Sequence, residues 1–232
     1  MHSTALLVIV VIVALAFDFT NGFHDTANVV AAAISTRALS PRTAVTLASL
    51  LNFAGAFISL QVAATIATGI IDPARVSETI AFAGLIGAIT WNLLTWLNGL
   101  PSSSSHALIG GIIGAMLAAA GGQGVNAAGV IGKVVLPALI APVAAFVVAG
   151  LSILVIYRLV GHRRPGVVNR GFSLGQVVSS SMLSLAHGTN DAQKTMGVIG
   201  LALVAHGDIS AHHFHVPTWV VVSAASAIAL GT

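Results

Sequence analysis

Apolar stretches long enough to cross a lipid bilayer follow one another along this chain, and charge is nearly absent from them. Only 6% of the residues are charged and 56% are hydrophobic, against roughly 25% charged in a soluble domain. Such a chain cannot cover a water-facing surface. In lipid every backbone amide must be bonded internally, which leaves helices or a closed barrel. The runs are continuous rather than alternating, so the expected fold class is all-α integral membrane protein. The absence of cysteine excludes disulfides and thiolate metal sites. A net charge of +3 calls for no nucleic acid; the expected surroundings are membrane lipids. The first run, from Ala5, has no basic leader or cleavage site and reads as a retained helix.

Seven hydrophobic segments are expected on length, at about residues 5–34, 43–71, 79–97, 107–120, 130–160, 172–205 and from 218 onward. The last stops at Thr232, too soon for a full crossing, so a truncated chain is expected. Arg37 and Arg42 follow the first segment, and Arg158, Arg163, Arg164 and Arg170 cluster around the end of the fifth. The positive-inside rule makes both loops cytoplasmic in a multi-pass protein of the plasma (inner) membrane. The organisation expected is a first transmembrane repeat over 1–160, a basic cytoplasmic loop over 161–171, and the start of a second repeat over 172–232. On this orientation segments one and six run in opposite directions.

Each of those two segments holds a polar island, and the islands match. NGFHDTAN covers Asn21 to Asn28 and HGTNDAQK covers His187 to Lys194; superimposing Gly22 on Gly188 puts Asp25 on Asp191. A carboxylate in hydrocarbon is costly and marks a functional site by default. Matching carboxylates in inverted segments point to a secondary transporter with its site at the meeting of two repeats. Asn21–Gly22 and His187–Gly188 are expected to interrupt their helices, freeing backbone groups for ions. Asp25 and Asp191 are then cation or proton sites; the bland reading is that each merely caps a half-helix. Asp18 belongs either to the same site or to a helix contact, and Gln61 and Asn92 read as interhelical hydrogen-bonding groups.

Pro101 and Ser102 to Ser105, followed by His106, lie between segments three and four, where a re-entrant hairpin is expected. Proline stops one helix and serines cap the next, leaving hydroxyls and free amides that suit an anion. A capped surface loop would look the same. Lys194 pairs either with Asp191 three residues earlier or with an anionic substrate. His212, His213 and His215 read as solvated, and metal ligands are otherwise unassigned.

With these motifs in view, the chain resembles the inorganic phosphate transporter family known as PiT, of the bacterial low-affinity type. GFHDTAN resembles its pattern G-A-N-D-x-A-N, GTNDAQK resembles the second copy, and the Pro–Ser–His run resembles its phosphate-contacting stretch. The resemblance implies an inverted repeat with two Asp-bearing motifs and two Ser/Thr-rich tips at a central site. It implies import of inorganic phosphate by symport with alternating access, no cofactor, and possible homodimers. Asp25, Asn28, Asn190 and Asp191 fall at coupling-ion or site-forming positions. Ser102, Ser103, Ser104 and Ser105 fall at the phosphate tip, with Thr189 and Lys194 counted beside the anion. A second tip would come near residue 270, past Thr232.

Two departures shift the expectation toward protons. His24 replaces an Asn in the first motif, and Lys194 replaces the final Asn of the second. A fixed ammonium where sodium-coupled members use Asn would repel a bound cation, so Asp25, His24 or Asp191 is expected to carry a proton. Sodium coupling, cotransport of a divalent metal with phosphate, and another oxyanion such as sulfate are the alternatives. A passive channel and an intramembrane hydrolase using a serine with His106 are more distant ones; no enzyme is expected, because Ser105 and His106 on one tip do not place a base against a nucleophile.

Overall fold

A computed structural model describes residues 4–72, 75–100, 102–163, 165–210 and 213–232; Pro101, Arg164 and His212 lie outside them. The regular structure of the described residues is helical, apart from one isolated antiparallel bridge between Ile71 and Val125. The order is α1 (Thr4–Ser35), α2 (Pro41–Gly55), α3 (Gln61–Gly69), α4 (Glu78–Leu97), α5 (Ser104–Ala120), α6 (Ala127–Val130), α7 (Leu136–Val160), α8 (Pro165–His206) and α9 (Thr218–Gly231). Among the described residues four spans, Thr4–Ser35, Glu78–Leu97, Ser104–Gly124 and Ala127–Val160, are long and apolar enough to cross a membrane.

Local chemistry sets the ends. Ser40 caps α2 by accepting the Thr43 amide, and Pro41 sits in the first turn, where its missing N–H costs nothing. Ser77 caps α4 and Ser103 caps α5 in the same way. A widened π turn, Ile131–Val135, joins α6 to α7. Its cause is Pro137, which cannot donate to the Lys133 carbonyl and crowds it, so the Leu136 amide reaches back to Ile131. α7 is exposed along its whole length, with Phe146 81% accessible, as suits a helix apolar all round.

Three expectations need correction. The islands do not interrupt their helices: α1 and α8 run through them unbroken. Their polar side chains bond back along the helix instead, Thr26 to the Gly22 carbonyl and Thr189 to the Leu185 carbonyl, so no backbone group is freed. The discontinuity lies in the second segment, which breaks into α2 and α3 across residues 56–60. There α2 runs against α8, and the Val62 amide at the start of α3 donates to Gln193 Oε1 of α8 (2.8 Å). Finally, the expected loop 161–171 is mostly helix, because Pro165 opens α8.

The island glycines serve close packing. A Cβ on Gly188 would lie 2.1 Å from the Asn52 carbonyl oxygen of α2, and one on Gly55 of α2 would lie 2.3 Å from the Leu185 oxygen of α8. In the same way, between α1 and α9, a Cβ on Gly22 would lie 2.5 Å from the Ile228 oxygen and one on Gly231 2.2 Å from the Phe19 oxygen. Hence α1 and α2 each pack on both α8 and α9. Phe17, Met196, Ile199 and Ile228 fill the space between them. α4 and α5 form a second pair, laid against α1 through α4.

Candidate functional site

The two islands meet. Asn21 Nδ2 donates to Asp191 Oδ2 (3.0 Å), and His187 Nε2 lies 3.4 Å from that oxygen and 3.9 Å from Asp25 Oδ2. Asn21 stands four residues before Asp25 and His187 four before Asp191, one turn away on the same face. Exchanging the copies therefore turns the Asn21–Asp191 contact into the His187–Asp25 contact. Asp18 faces Thr195, so numbers fall along α1 as they rise along α8, and the two helices are antiparallel.

Asp25 is half-buried and holds the cluster together. His24 Nδ1–H donates to its Oδ1 (2.9 Å), and Ser104 Oγ–H donates to its Oδ2 (3.0 Å) across 79 residues of sequence. Ser104 is buried at the first turn of α5. The serine tip and the first island are thereby one unit.

His187 was not among the sequence-derived site residues. In the sequence its position reads as a helix interruption; the available signal is its i−4 spacing from Asp191, matched by Asn21 and Asp25. Asn52 Nδ2 donates to Thr232 Oγ1 (2.8 Å), which turns Asn52 Oδ1 toward His187 Nδ1–H (3.1 Å). The other ring nitrogen, Nε2, is buried without a hydrogen-bond partner among the described residues and faces two carboxylates. Positive charge at that point, a proton or a metal ion, satisfies all three groups at once. Asp25, His187 and Asp191 offer ligand atoms within 4.8 Å of one another.

Lys194 takes the ion-pair alternative. Its Nζ lies 2.5 Å from Asp191 Oδ1, and both are buried. Lys194→Met should leave Asp191 uncompensated and cost about 3 kcal/mol. Adding Asp191→Asn should recover most of that loss, as read by thermal unfolding in detergent. Equal stability of the single and double variants would show that the pair is not coupled.

The other expected residues divide. Ser103 caps α5 by accepting the His106 amide (3.4 Å), and Ser102 Oγ accepts from Trp91 Nε1–H (3.1 Å). Both line an open groove of about 780 Å³ with Trp91, Thr95 and His106. Ser105 is half-buried at the same helix start. Thr189 belongs to the α2–α8 contact: its one hydroxyl proton is shared between the Leu185 carbonyl of its own helix (2.8 Å) and the Gly55 carbonyl of α2 (2.9 Å). Asn28 and Asn190 are exposed and outside the hydrogen-bonded cluster. The Gln61 residue is exposed, and Asn92 is buried with neither amide atom bonded among the described residues; neither makes the interhelical bond expected of it. His213 and His215 are exposed.

The pattern of the Phosphate transporter family matches residues 21–168 and 162–232. The chain is 56% identical over 227 residues to a probable low-affinity inorganic phosphate transporter of Mycobacterium bovis, covering 98% of this chain and 54% of that protein. It is 48% identical over 228 residues to one from Rhizobium meliloti, and 43% identical over 229 residues to one from Bacillus subtilis. Each of these covers 98% of this chain and 68% of the relative. The chain thus spans about half the length of the mycobacterial relatives. A solved structure described as the sodium-dependent phosphate transporter superposes with a TM-score of 0.85 at 23% identity, covering 98% of this chain and 75% of that one.

Proposed function

That the chain belongs to the phosphate transporter family is the premise from which we propose that it works in a secondary active transporter importing inorganic phosphate by symport with protons. The observation that carries the reading is the Ser104–Asp25 hydrogen bond. While Asp25 is ionised it holds the Ser104 hydroxyl. A proton delivered to Asp25, directly or through His24 or His187, weakens that hold, and the hydroxyl can turn to a phosphate oxygen. Phosphate at the start of α5 would gain the unbonded amides of the first turn and the hydroxyls of Ser102, Ser103 and Ser105. Binding then requires the proton, because an uncompensated anion beside ionised Asp25 is costly in a dry site.

The reciprocal contacts of Asn21 with Asp191 and His187 with Asp25 support an inverted repeat, whose rocking would give alternating access. The plasma membrane, multi-pass, is the location proposed. Proteoliposome uptake of labelled phosphate tests the coupling. An inward proton gradient should drive accumulation without sodium; a strict sodium requirement with no response to protons would transfer the reading to sodium symport. Competition by excess sulfate should leave phosphate uptake unchanged.

A second reading is favoured by the Asp25, His187 and Asp191 cluster, whose ligand atoms lie close enough to share one divalent ion. In it the cargo is a metal–phosphate complex, neutral as a whole. Chelating divalent metal outside the vesicles would then stop phosphate uptake, and metal would enter with phosphate.

A further inference from the structure

One ionisable group is left over from the cluster just described. Asp18 lies on α1 three residues before Asn21 and is 0% accessible. The Thr195 hydroxyl of α8, also 0% accessible, faces its carboxylate without forming a well-aligned hydrogen bond. Asn21 commits its Nδ2 to Asp191, leaving Oδ1 buried and unbonded among the described residues. Buried polar atoms are bonded in the great majority of cases, so a buried carboxylate with one loosely placed hydroxyl beside it and an unbonded amide oxygen one turn along the same helix call for a common explanation.

The charges around them narrow it. From α8, Asp191 and Lys194 face Asp18, and these two neutralise each other at 2.5 Å. α9 carries no ionisable residue, and the only one on α4 is Glu78, which pairs with His206 (2.6 Å). The local balance is therefore the single negative charge of Asp18. One monovalent cation cancels it, whereas a divalent ion would leave an excess positive charge in a dry interior. An all-oxygen ligand set suits a small hard cation.

We propose that Asp18, Thr195 and Asn21 form a binding site for a second coupling cation, a proton or a sodium ion, distinct from the proton on Asp25 and one helical turn from the phosphate-linked cluster. Asn21 joins the two sites: its Oδ1 serves the cation while its Nδ2 holds Asp191. Loading Asp18 thus bears on the groups that face phosphate without the cation touching the anion. This inference rests on the reading of the protein as a cation-coupled phosphate carrier.

The test uses the purified protein in proteoliposomes, with Asp18→Asn and Thr195→Val. Two measurements separate coupling from binding: labelled phosphate accumulation driven by a proton or a sodium gradient, and phosphate–phosphate exchange with equal cation on both sides. Asp18→Asn should lose about tenfold or more of gradient-driven accumulation and keep exchange near the wild-type rate. Thr195→Val should shift half-saturation by the driving cation several-fold, roughly the loss of one ligand hydrogen bond, with the phosphate KM unchanged once the cation is saturating. The wild-type gradient response identifies the cation. Gradient-driven accumulation intact in Asp18→Asn overturns the site and leaves the carrier reading standing. Loss of exchange in Asp18→Asn together with wild-type cation dependence in Thr195→Val overturns it as well, reducing Asp18 to a structural group. Wild-type uptake that responds to neither gradient overturns the coupled reading, and the site with it.

Discussion

Asp25→Asn is expected to abolish phosphate accumulation while leaving the protein inserted and folded. The amide is isosteric, and its oxygen can still accept from Ser104, so the link between α1 and the start of α5 survives. The charge that faces His187, and that is proposed to take up the coupling proton, does not. Loss of a hydrogen-bonded charge is worth about 3 kcal/mol, equivalent to roughly 100-fold in transport rate. Asp191→Asn should reduce transport in the same way. It should also lower stability, because it strands Lys194 in a buried position. Wild-type uptake by either variant, with membrane insertion verified, would remove that aspartate from the site.

Gly188→Ala should be strongly destabilising. Its new methyl would fall 2.1 Å from the Asn52 oxygen and 2.5 Å from the Asn52 Cα, both backbone atoms of α2 that no rotamer can move aside. Separating the helices would also pull His187 from Asn52 and Thr189 from Gly55. A loss of about 3 kcal/mol or more is expected from such overpacking. Gly110→Ala is the control, since nothing lies within 4 Å of its added Cβ. It should be neutral or slightly stabilising, as alanine is the better helix former by about 1 kcal/mol. Thermal melting of both variants in one detergent decides this; equal melting temperatures would mean that the α2–α8 crossing is looser than described.

Much of this site is visible in the sequence because hydrocarbon tolerates so few charges. Asp25 and Asp191 could be picked out, and aligned through Gly22 and Gly188, without any structure. The serine run before α5 reads as a capped helix start for equally local reasons, and Ser103 makes that cap. What was misread were consequences of contacts between distant segments. Asn21–Gly22 and His187–Gly188 carry the composition of a helix break, yet their glycines admit a crossing helix and their polar side chains bond within the helix or across it. The break at residues 56–60 has no proline and little polarity to announce it. It is set by α8, whose Gln193 holds the start of α3. The role of His187 likewise depends on Asn52 turning the ring toward the two carboxylates. Asn28 and Asn190, placed at the site by family pattern, stand on its margin here.

In the proposed mechanism one hydroxyl, that of Ser104, serves in turn a carboxylate and a phosphate. Proton uptake on phosphate binding tests this most directly. It can be followed with a pH indicator on detergent-purified protein in weak buffer, comparing wild type with Asp25→Asn so that the titration of phosphate itself cancels. The expected result is about one extra proton taken up per phosphate bound by the wild type, absent in Asp25→Asn. Equal proton uptake by the two proteins, at equal phosphate affinity, would contradict the link between Ser104, Asp25 and the coupling proton.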